Sequence, residues 1–124
     1  MLLEPSVIVF YVHDIQVSRE FYQSLLGILP DKNSPDFCSF KLSSGMSFAL
    51  KANYNIIPPV DSTQGNGELA FTVGSNKKVD ELFALWQSMR VDIILPTQQI
   101  SFGYTFVAHD PDGNRLRVVS LRSS

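Results

Sequence analysis

The chain has 124 residues, of which 44% are hydrophobic, and a formal net charge of −2 at pH 7. This length suffices for one well-buried domain and is too short for two ordinary ones, unless the domain is built from two half-sized units. Its scattered basic residues form neither a stripe for phosphate backbones nor a cationic amphipathic helix, which argues against nucleic-acid and membrane partners. Because no apolar run approaches the roughly 20 residues that span a bilayer, and the first residues lack the basic region of a signal peptide, a cytoplasmic protein is expected.

An internal repeat relates the two halves of the chain at an offset of 61 residues. The matched positions are Phe10 with Phe71, Val12 with Val73, Glu20 with Glu81, Phe21 with Leu82, and Tyr22 with Phe83. Each half then reads as a strand, a turn, a helix, a Leu-Pro pair and further strands. The repeat predicts a single domain of two modules, at about residues 5–57 and 66–122.

The first predicted strand has two faces of different character. Its two sets of side chains are Ile8, Phe10 and Val12 on one face, and Val7, Val9 and Tyr11 on the other. The first set is expected to pack against a helix that begins at an N-cap, Asp14, and ends at Gly27. Residues with helical spacing along it are Val17, Phe21 and Leu25.

A two-faced hairpin is predicted in DFCSFKLSSGMSFALK, with its turn at residues 43–45. Its apolar face comprises Cys38, Phe40, Leu42, Met46, Phe48 and Leu50. That face must meet a partner sheet, a subunit or a ligand. Cys38 is the only cysteine, which excludes an internal disulfide and a cysteine-based zinc cluster, and its strand position predicts inert burial. Residues 53–67 are the expected connection to the second module.

The second module opens with a strand whose helix-facing residues are Leu69, Phe71 and Val73, opposed by Glu68, Ala70 and Thr72. Its helix is expected to begin near Ser75 or Asn76, with Trp86 on an apolar stripe that packs into the core. The turn DPDGN then reverses the chain between the last two strands. If this turn closes symmetrically, Phe106 lies opposite Arg117 and Tyr104 lies opposite Val119.

Two motifs in this order around the repeat carry a resemblance to a known family. The first is V-x-D-I-x-x-S-x-x-F-Y-x-x-L-L-G, from Val12 to Gly27, and the second is DPDGNRLRV, from Asp110 to Val118. Together they resemble the vicinal-oxygen-chelate superfamily, which includes glyoxalase I, fosfomycin-resistance enzymes, extradiol dioxygenases and bleomycin-resistance proteins. The resemblance implies an α+β fold of two βαβββ modules that form an open, cup-shaped barrel, usually completed in a homodimer, with a small-molecule ligand inside the cup.

Metal-dependent members of this superfamily take His or Glu ligands from the first and last strands of each module. By motif position, the resemblance places these ligands at Val7, Leu50, Glu68 and Arg117. Only Glu68 can bind a cation, because Val7 and Leu50 have no donor atoms and Arg117 is always protonated. Since a first-row metal needs at least two or three protein ligands, no metal or other cofactor is expected.

Glu68 and Arg117 are expected to meet, and their meeting has two compatible interpretations. In the first, they form a structural ion pair in the place of the metal, since a buried charge without a partner is costly. In the second, the guanidinium group of Arg117 offers a forked donor to a carboxylate, phosphonate or carbonyl group of the ligand.

The remaining ligand-side candidates are apolar and lie on the predicted cup side. They are Phe40, Met46, Phe48, Leu50, Tyr104 and Phe106, and the alternative for each is simple core packing. His13 and His109 each adjoin an aspartate in a predicted turn and are expected to be solvated. The motifs HExxH and GxSxG and a Gly-rich phosphate loop do not occur, so hydrolase and nucleotide-binding functions have no support.

Three functions are compatible with these residues. The first is a metal-free protein that encloses an apolar or aromatic small molecule in the cup, in the manner of the bleomycin-type resistance proteins, with Glu68 and Arg117 as polar anchors. The second is a metal-dependent lyase or dioxygenase of the glyoxalase type, which requires that the strand register differ by one residue. The third is an accessory domain with a filled cup. The loss of three of the four ligand positions favours the first.

Overall fold

The computed structural model describes residues 2–59 and 67–122, and the chain divides into two compact units, residues 1–63 and 64–124. The first unit contains β1 (Val7–Val12), α1 (Ile15–Leu26), β2 (Lys32–Ser34), β3 (Phe37–Lys41), β4 (Ser47–Ala52) and a 3₁₀ helix (Asn53–Asn55). The second contains β5 (Glu68–Thr72), α2 (Asn76–Ser88), β6 (Asp92–Ile100), β7 (Gly103–His109) and β8 (Arg115–Leu121). The predicted connection at 53–67 therefore begins with a helical turn, and its residues 60–66 lie outside the described part.

Each unit has one four-stranded sheet in which the first strand runs parallel to the last. The strand order is β1-β4-β3-β2 in the first unit and β5-β8-β7-β6 in the second. The other neighbouring strands are antiparallel. This arrangement confirms the predicted α+β class with two βαβββ units. Among the described residues, no helix has the length and apolar character needed to cross a membrane.

Both helices begin and end at residues that satisfy free backbone groups. The Asp14 carboxylate accepts a hydrogen bond from the Val17 N–H (3.2 Å), and the Ser75 hydroxyl oxygen accepts one from the Lys78 N–H (3.1 Å). Gly27 ends α1 in the left-handed conformation at φ 70°, which costs glycine little. The predicted N-cap Asp14, the predicted end of α1 and the predicted start of α2 near Ser75 or Asn76 are confirmed.

The buried face of α1 differs from the predicted stripe. Val17 is 49% exposed, whereas the buried residues of α1 are Ile15, Ser18 and Tyr22. The Tyr22 ring lies edge-on to Phe48 of β4, with centroids 4.8 Å apart. This aromatic contact sets the rotation of the helix about its axis, and it turns Val17 outward.

The apolar face of the β3–β4 hairpin packs under α1, not toward a ligand. Phe48 contacts Tyr22 of α1, and its ring lies 5.3 Å from that of Phe10. Phe40 pairs with Phe48, and Leu50 pairs with Phe10, so all of these side chains share the helix face. The prediction of Phe40, Phe48 and Leu50 as ligand-side residues is wrong, because strands paired in one sheet must direct their apolar sets to the same face.

The second unit shows the same packing. The Phe106 ring lies 5.2 Å from both Phe83 and Trp86 of α2, and the Tyr104 hydroxyl donates a hydrogen bond to Asp80 of α2 (2.6 Å). Trp86 is therefore a core residue, as predicted. Phe106 and Tyr104 point toward the helix, so their predicted place beside the ligand is wrong.

The turn after β7 contains one residue more than the turn that the predicted strand pairing requires. The Asp110 N–H donates to the Asn114 carbonyl oxygen (2.9 Å), and Gly113 takes the left-handed conformation within the loop. The resulting strand pairs are Val107 with Arg117, Phe106 with Val118, and Tyr104 with Ser120. The predicted pairs, Phe106 with Arg117 and Tyr104 with Val119, are wrong by one residue. A slip of one residue exchanges the two faces of a strand.

Cys38 is fully buried in β3, as predicted. Burial raises the pKa of its thiol, with a smaller opposing effect from the positive charge of Arg19. A raised pKa keeps the thiol protonated near neutral pH, and the thiolate is the reactive form. Cys38 is thus an inert core residue.

Gly103→Ala is expected to destabilise the protein by roughly 2 kcal/mol. A Cβ atom at Gly103 would collide with the carbonyl oxygen of Ser120 in the neighbouring strand β8, which is backbone and cannot rotate away. Urea unfolding measures the effect. The control is Gly74→Ala, where an added Cβ meets nothing within 4 Å. Equal unfolding free energies for the two variants would contradict the close approach of β7 to β8.

Candidate functional site

Arg117 lies on the distal face of the second sheet, which is defined here as the face that points away from α2. Because Phe106 packs against α2, its neighbours in β7 point to the opposite side. Strand pairing places these residues on the distal face: Glu68, Ala70, Thr105, Val107, Arg117 and Val119. Arg117 is the positively charged member of this set; Arg115, two residues earlier in β8, lies on the same face and is exposed.

Three neighbours hold the guanidinium group of Arg117. Its Nε–H donates to Oε2 of Glu68 (3.2 Å), and its Nη1–H donates to Oγ1 of Thr105 (3.2 Å). Its central carbon lies 5.5 Å from the centre of the Phe102 ring, within the range of a cation–π contact. The Arg117 side chain is 15% exposed and that of Glu68 is 37% exposed. The expected meeting of Glu68 and Arg117 therefore occurs.

Thr105 is the residue that positions the far end of this arginine. Its side chain is fully buried, and its hydroxyl group donates a hydrogen bond to the Val118 carbonyl oxygen (2.7 Å). With its proton used in that bond, Oγ1 has a lone pair free to accept from Arg117. Thr105 thus holds the guanidinium group in place, and its own buried hydroxyl group has both a hydrogen-bond acceptor and a hydrogen-bond donor as partners.

Part of the guanidinium group remains available for a ligand. A guanidinium group has five N–H donors, and within the described residues only Nε and Nη1 of Arg117 make hydrogen bonds. No buried side-chain nitrogen or oxygen in the described part of the chain lacks a partner. Nη2 of Arg117, which has none, is therefore accessible to solvent. A pre-positioned cation with unused donors can bind a carboxylate.

The residues at the family's metal positions do not form a metal site. Strand pairing sets Ala49 beside Val9 and Arg117 beside Ala70, so Ala49, not Leu50, is the counterpart of Arg117 in the first unit. The prediction of Leu50 as a metal position is wrong by one residue, because Leu50 pairs with Phe10 and lies on the face that meets α1. Of the four corrected positions, Val7, Ala49, Glu68 and Arg117, only Glu68 can coordinate a cation, and its carboxylate is bonded to Arg117. Across residues 2–59 and 67–122, no three His, Cys, Asp or Glu side chains cluster as metal ligands do.

Neither histidine joins this arrangement. His13 is exposed. His109 belongs to β7, not to a turn, and its Nδ1 lies 3.5 Å from the carboxylate of Asp92 on the adjacent strand. The Asp110 carboxylate instead accepts hydrogen bonds within its turn, from the backbone N–H groups of Asp112 and Asn114 (2.9 and 2.8 Å). The DPDGN motif is thus a structural turn.

Thr105 and Phe102 are site residues that sequence reasoning missed. The prediction placed Tyr104 and Phe106 on the cup side, which leaves Thr105 between them on the opposite face. A signal for its place was present, since Thr105 and Val107 alternate with Tyr104 and Phe106 along one strand. Phe102 lies in the tight β6–β7 connection, where alternation does not apply.

Comparison with known proteins decides the family. The model of the Glyoxalase/Bleomycin resistance protein/Dioxygenase superfamily matches residues 5–118. The chain belongs to this superfamily. The chain is 27% identical to the phenazine antibiotic resistance protein EhpR of Enterobacter agglomerans. The match covers 96% of this chain and 93% of EhpR.

Solved structures agree with this superfamily fold. A protein of Agrobacterium tumefaciens, determined by NMR in solution, is 38% identical with a TM-score of 0.85, over 98% of this chain and 100% of that one. A glyoxalase-related enzyme from Fulvimarina pelagi is 20% identical with a TM-score of 0.84, over 96% of this chain and 88% of that one. At 20% identity the second likeness shows the fold alone.

Proposed function

We propose that this superfamily member is a metal-free binding protein for planar aromatic molecules that carry an acidic group. The observation that carries the proposal is the state of Arg117: its guanidinium group is held in place, yet Nη2 has no hydrogen-bond partner among residues 2–59 and 67–122 and is accessible to solvent. An acidic ligand would bind there through charge-assisted hydrogen bonds, which are stronger than neutral ones. Glu68 and Arg117 remain the polar anchors.

Aromatic ligands are favoured by the surroundings of this arginine. Phe102 offers an exposed ring beside the guanidinium group, and a flat aromatic ligand could stack on it. The relative EhpR is described as a phenazine antibiotic resistance protein, and phenazines are planar tricyclic aromatic molecules. The predicted ligand contact of Val7, which belongs to the first unit, remains a prediction.

Binding, and not catalysis, is the function that these side chains support. Glyoxalase-type chemistry uses a metal as a Lewis acid, and one carboxylate tied to an arginine is not a suitable ligand set. A resistance protein that sequesters its antibiotic needs only tight binding. The homodimer and the cytoplasmic location implied at the outset remain predictions.

Isothermal titration with a matched pair of compounds tests this proposal. Phenazine-1-carboxylate and phenazine-1-carboxamide have nearly the same shape and differ in charge. We expect the carboxylate to bind at least about tenfold more tightly, since a hydrogen bond to a charged group contributes about 1.5–3 kcal/mol. Equal affinities, or no binding of either compound, would overturn the proposal. Formation of lactoylglutathione with added nickel, zinc or manganese would indicate the glyoxalase-type enzyme instead.

Glu68→Gln separates the two interpretations of the ion pair. Glutamine keeps an oxygen that accepts from the Nε–H of Arg117 and removes the negative charge that competes with the ligand. If Arg117 binds the ligand, phenazine-1-carboxylate should bind about threefold to fivefold more tightly, while the affinity for the carboxamide stays the same. Glu81→Gln, on the exposed side of α2, makes the same change in net charge and is the control. Unchanged carboxylate affinity in both variants would mean that the pair is structural only.

A further inference from the structure

A cavity of about 340 Å³ lies on the first sheet, on the face that points away from α1. Its lining comprises Tyr11, Asp36, Phe37, Lys51, Ile56 and Ile57. None of these residues belongs to the site around Arg117, and all lie within the first unit. The cavity is therefore a feature that the proposed function does not explain.

Strand pairing builds the floor of this cavity. Lys51 in β4 pairs with Tyr11 in β1 on one side and with Phe37 in β3 on the other. Side chains paired across strands project from the same face, with their Cβ atoms about 5 Å apart. The distal face of the first sheet thus presents one lysine between two aromatic residues. Ile56 and Ile57, which follow the 3₁₀ helix, form the rim.

Two polar groups that line the cavity are available to bond to a ligand. Among the described residues, neither the Lys51 ammonium group nor the Tyr11 hydroxyl group makes a hydrogen bond or an ion pair. Asp36, by contrast, is tied into its own loop, where its carboxylate accepts from the Ser34 hydroxyl group (3.1 Å). Lys51 therefore makes no ion pair within 4 Å among the described residues, and Asp36 is the other charged side chain of the lining.

The apolar groups of the rim are equally uncovered. Ile57 is 94% exposed and Tyr11 is 45% exposed. An uncovered aliphatic side chain next to aromatic rings gains free energy when a flat apolar surface covers it. The volume falls near the lower end of the roughly 300–1,000 Å³ of small-molecule pockets, which suits a compound of two or three fused rings.

We infer that this cavity is a second ligand site, which binds a planar aromatic acid between Tyr11 and Phe37 with Lys51 as its counter-ion. Stacking against the two rings supplies the recognition of a flat molecule, and the ammonium group selects an anionic one. The inference goes beyond the proposed function, because it uses none of the residues assigned to the site around Arg117.

The test is an NMR titration of the ¹⁵N-labelled full chain with phenazine-1-carboxylate and, separately, with the neutral carboxamide. We expect the amide signals of Tyr11, Phe37, Lys51 and Ile57 to shift on titration with either compound. Lys51→Met should weaken carboxylate binding at these signals about fivefold and leave carboxamide binding within about twofold, since an exposed charge pair contributes up to about 1 kcal/mol. Tyr11→Leu should weaken the binding of both compounds, because it removes a stacking surface.

Lys41→Met is the matched control, since Lys41 is an exposed lysine on the same strand and face as Phe37 but outside the cavity. Carboxylate affinity should not change in this variant. Arg117→Met should leave the shifts around Lys51 in place. If these shifts vanish in Arg117→Met, fail to appear in the wild-type protein, or respond equally to Lys41→Met and Lys51→Met, the inference is overturned. Shifts around Lys51 with none around Arg117 would support this site while contradicting the proposed function.

Discussion

Replacing Arg117 with methionine is expected to weaken the binding of phenazine-1-carboxylate at the Arg117 site by about tenfold to a hundredfold. Methionine retains much of the apolar length of arginine but none of its donors, so hydrogen bonds to the charged ligand worth about 1.5–3 kcal/mol are lost. The affinity for phenazine-1-carboxamide should change much less, since it presents no charge to the arginine. Isothermal titration with both compounds measures the two effects.

Arg115→Met is the matched control for this variant. Arg115 lies in the same strand two residues before Arg117, on the same face, and is exposed. It also pairs directly with Glu68 in the parallel register, so it tests whether any positive charge near that carboxylate suffices. Equal losses in the two variants would mean that general charge attraction explains binding. The melting temperature of Arg117→Met should change little, because the Glu68 carboxylate is exposed enough to be solvated.

Phe106→Ala is expected to lower the free energy of unfolding by about 3–5 kcal/mol, the usual effect of truncating a buried phenylalanine. Phe106 is fully buried, and its ring packs edge-on against Phe83 and Trp86 of α2. Its removal leaves a cavity between α2 and the sheet that the rigid strands cannot close. Urea unfolding followed by tryptophan fluorescence reports this loss, because Trp86 lies in the same cluster.

Phe102→Ala provides the comparison for Phe106→Ala, since Phe102 is a partly exposed ring in the β6–β7 connection. It should alter stability by less than about 1 kcal/mol and should weaken ligand binding instead. The reverse outcome, a stable Phe106→Ala variant that no longer binds the phenazine, would show that Phe106 faces the ligand and that the β7–β8 register is wrong.

The features that sequence reasoning predicted well are local. The N-cap Asp14, the end of α1 at Gly27 and the start of α2 near Ser75 or Asn76 depend on a few neighbouring residues, so they can be predicted directly from the sequence. The repeat predicts the order of elements for a similar reason, because each half must form its own strand-helix-strand unit. The contact between Glu68 and Arg117 was predicted through their positions on the first and last strands of one module.

The faces of the strands could not be predicted in the same way. Alternation shows which side chains share a face, but it does not show which face meets the helix. The apolar side of the β3–β4 hairpin suited either a ligand or a helix, and only the pairing of Phe10 with Leu50 in one sheet resolves the choice.

A single extra residue had a large effect on the candidate site. The loop between Asp110 and Asn114 shifts the β7–β8 pairing by one position, which moves Phe106 into the core and brings Thr105 next to Arg117. A turn of this length is not distinguished from a shorter one by composition, since both use Pro, Asp, Gly and Asn. Thr105 was therefore missed as the second hydrogen-bond partner of Arg117, although its alternation with Tyr104 and Phe106 was present in the sequence.

Metal-free binding of an acidic aromatic ligand is tested most directly by titrating phenazine-1-carboxylate into chelator-treated protein, and then into the same protein with excess nickel, zinc or manganese. With Glu68 bonded to Arg117 and no other residue at the family's metal positions able to coordinate a cation, we predict tight binding without metal and the same affinity in its presence. Binding that appears only after metal is added would contradict this account and would restore a metal-dependent member of the superfamily.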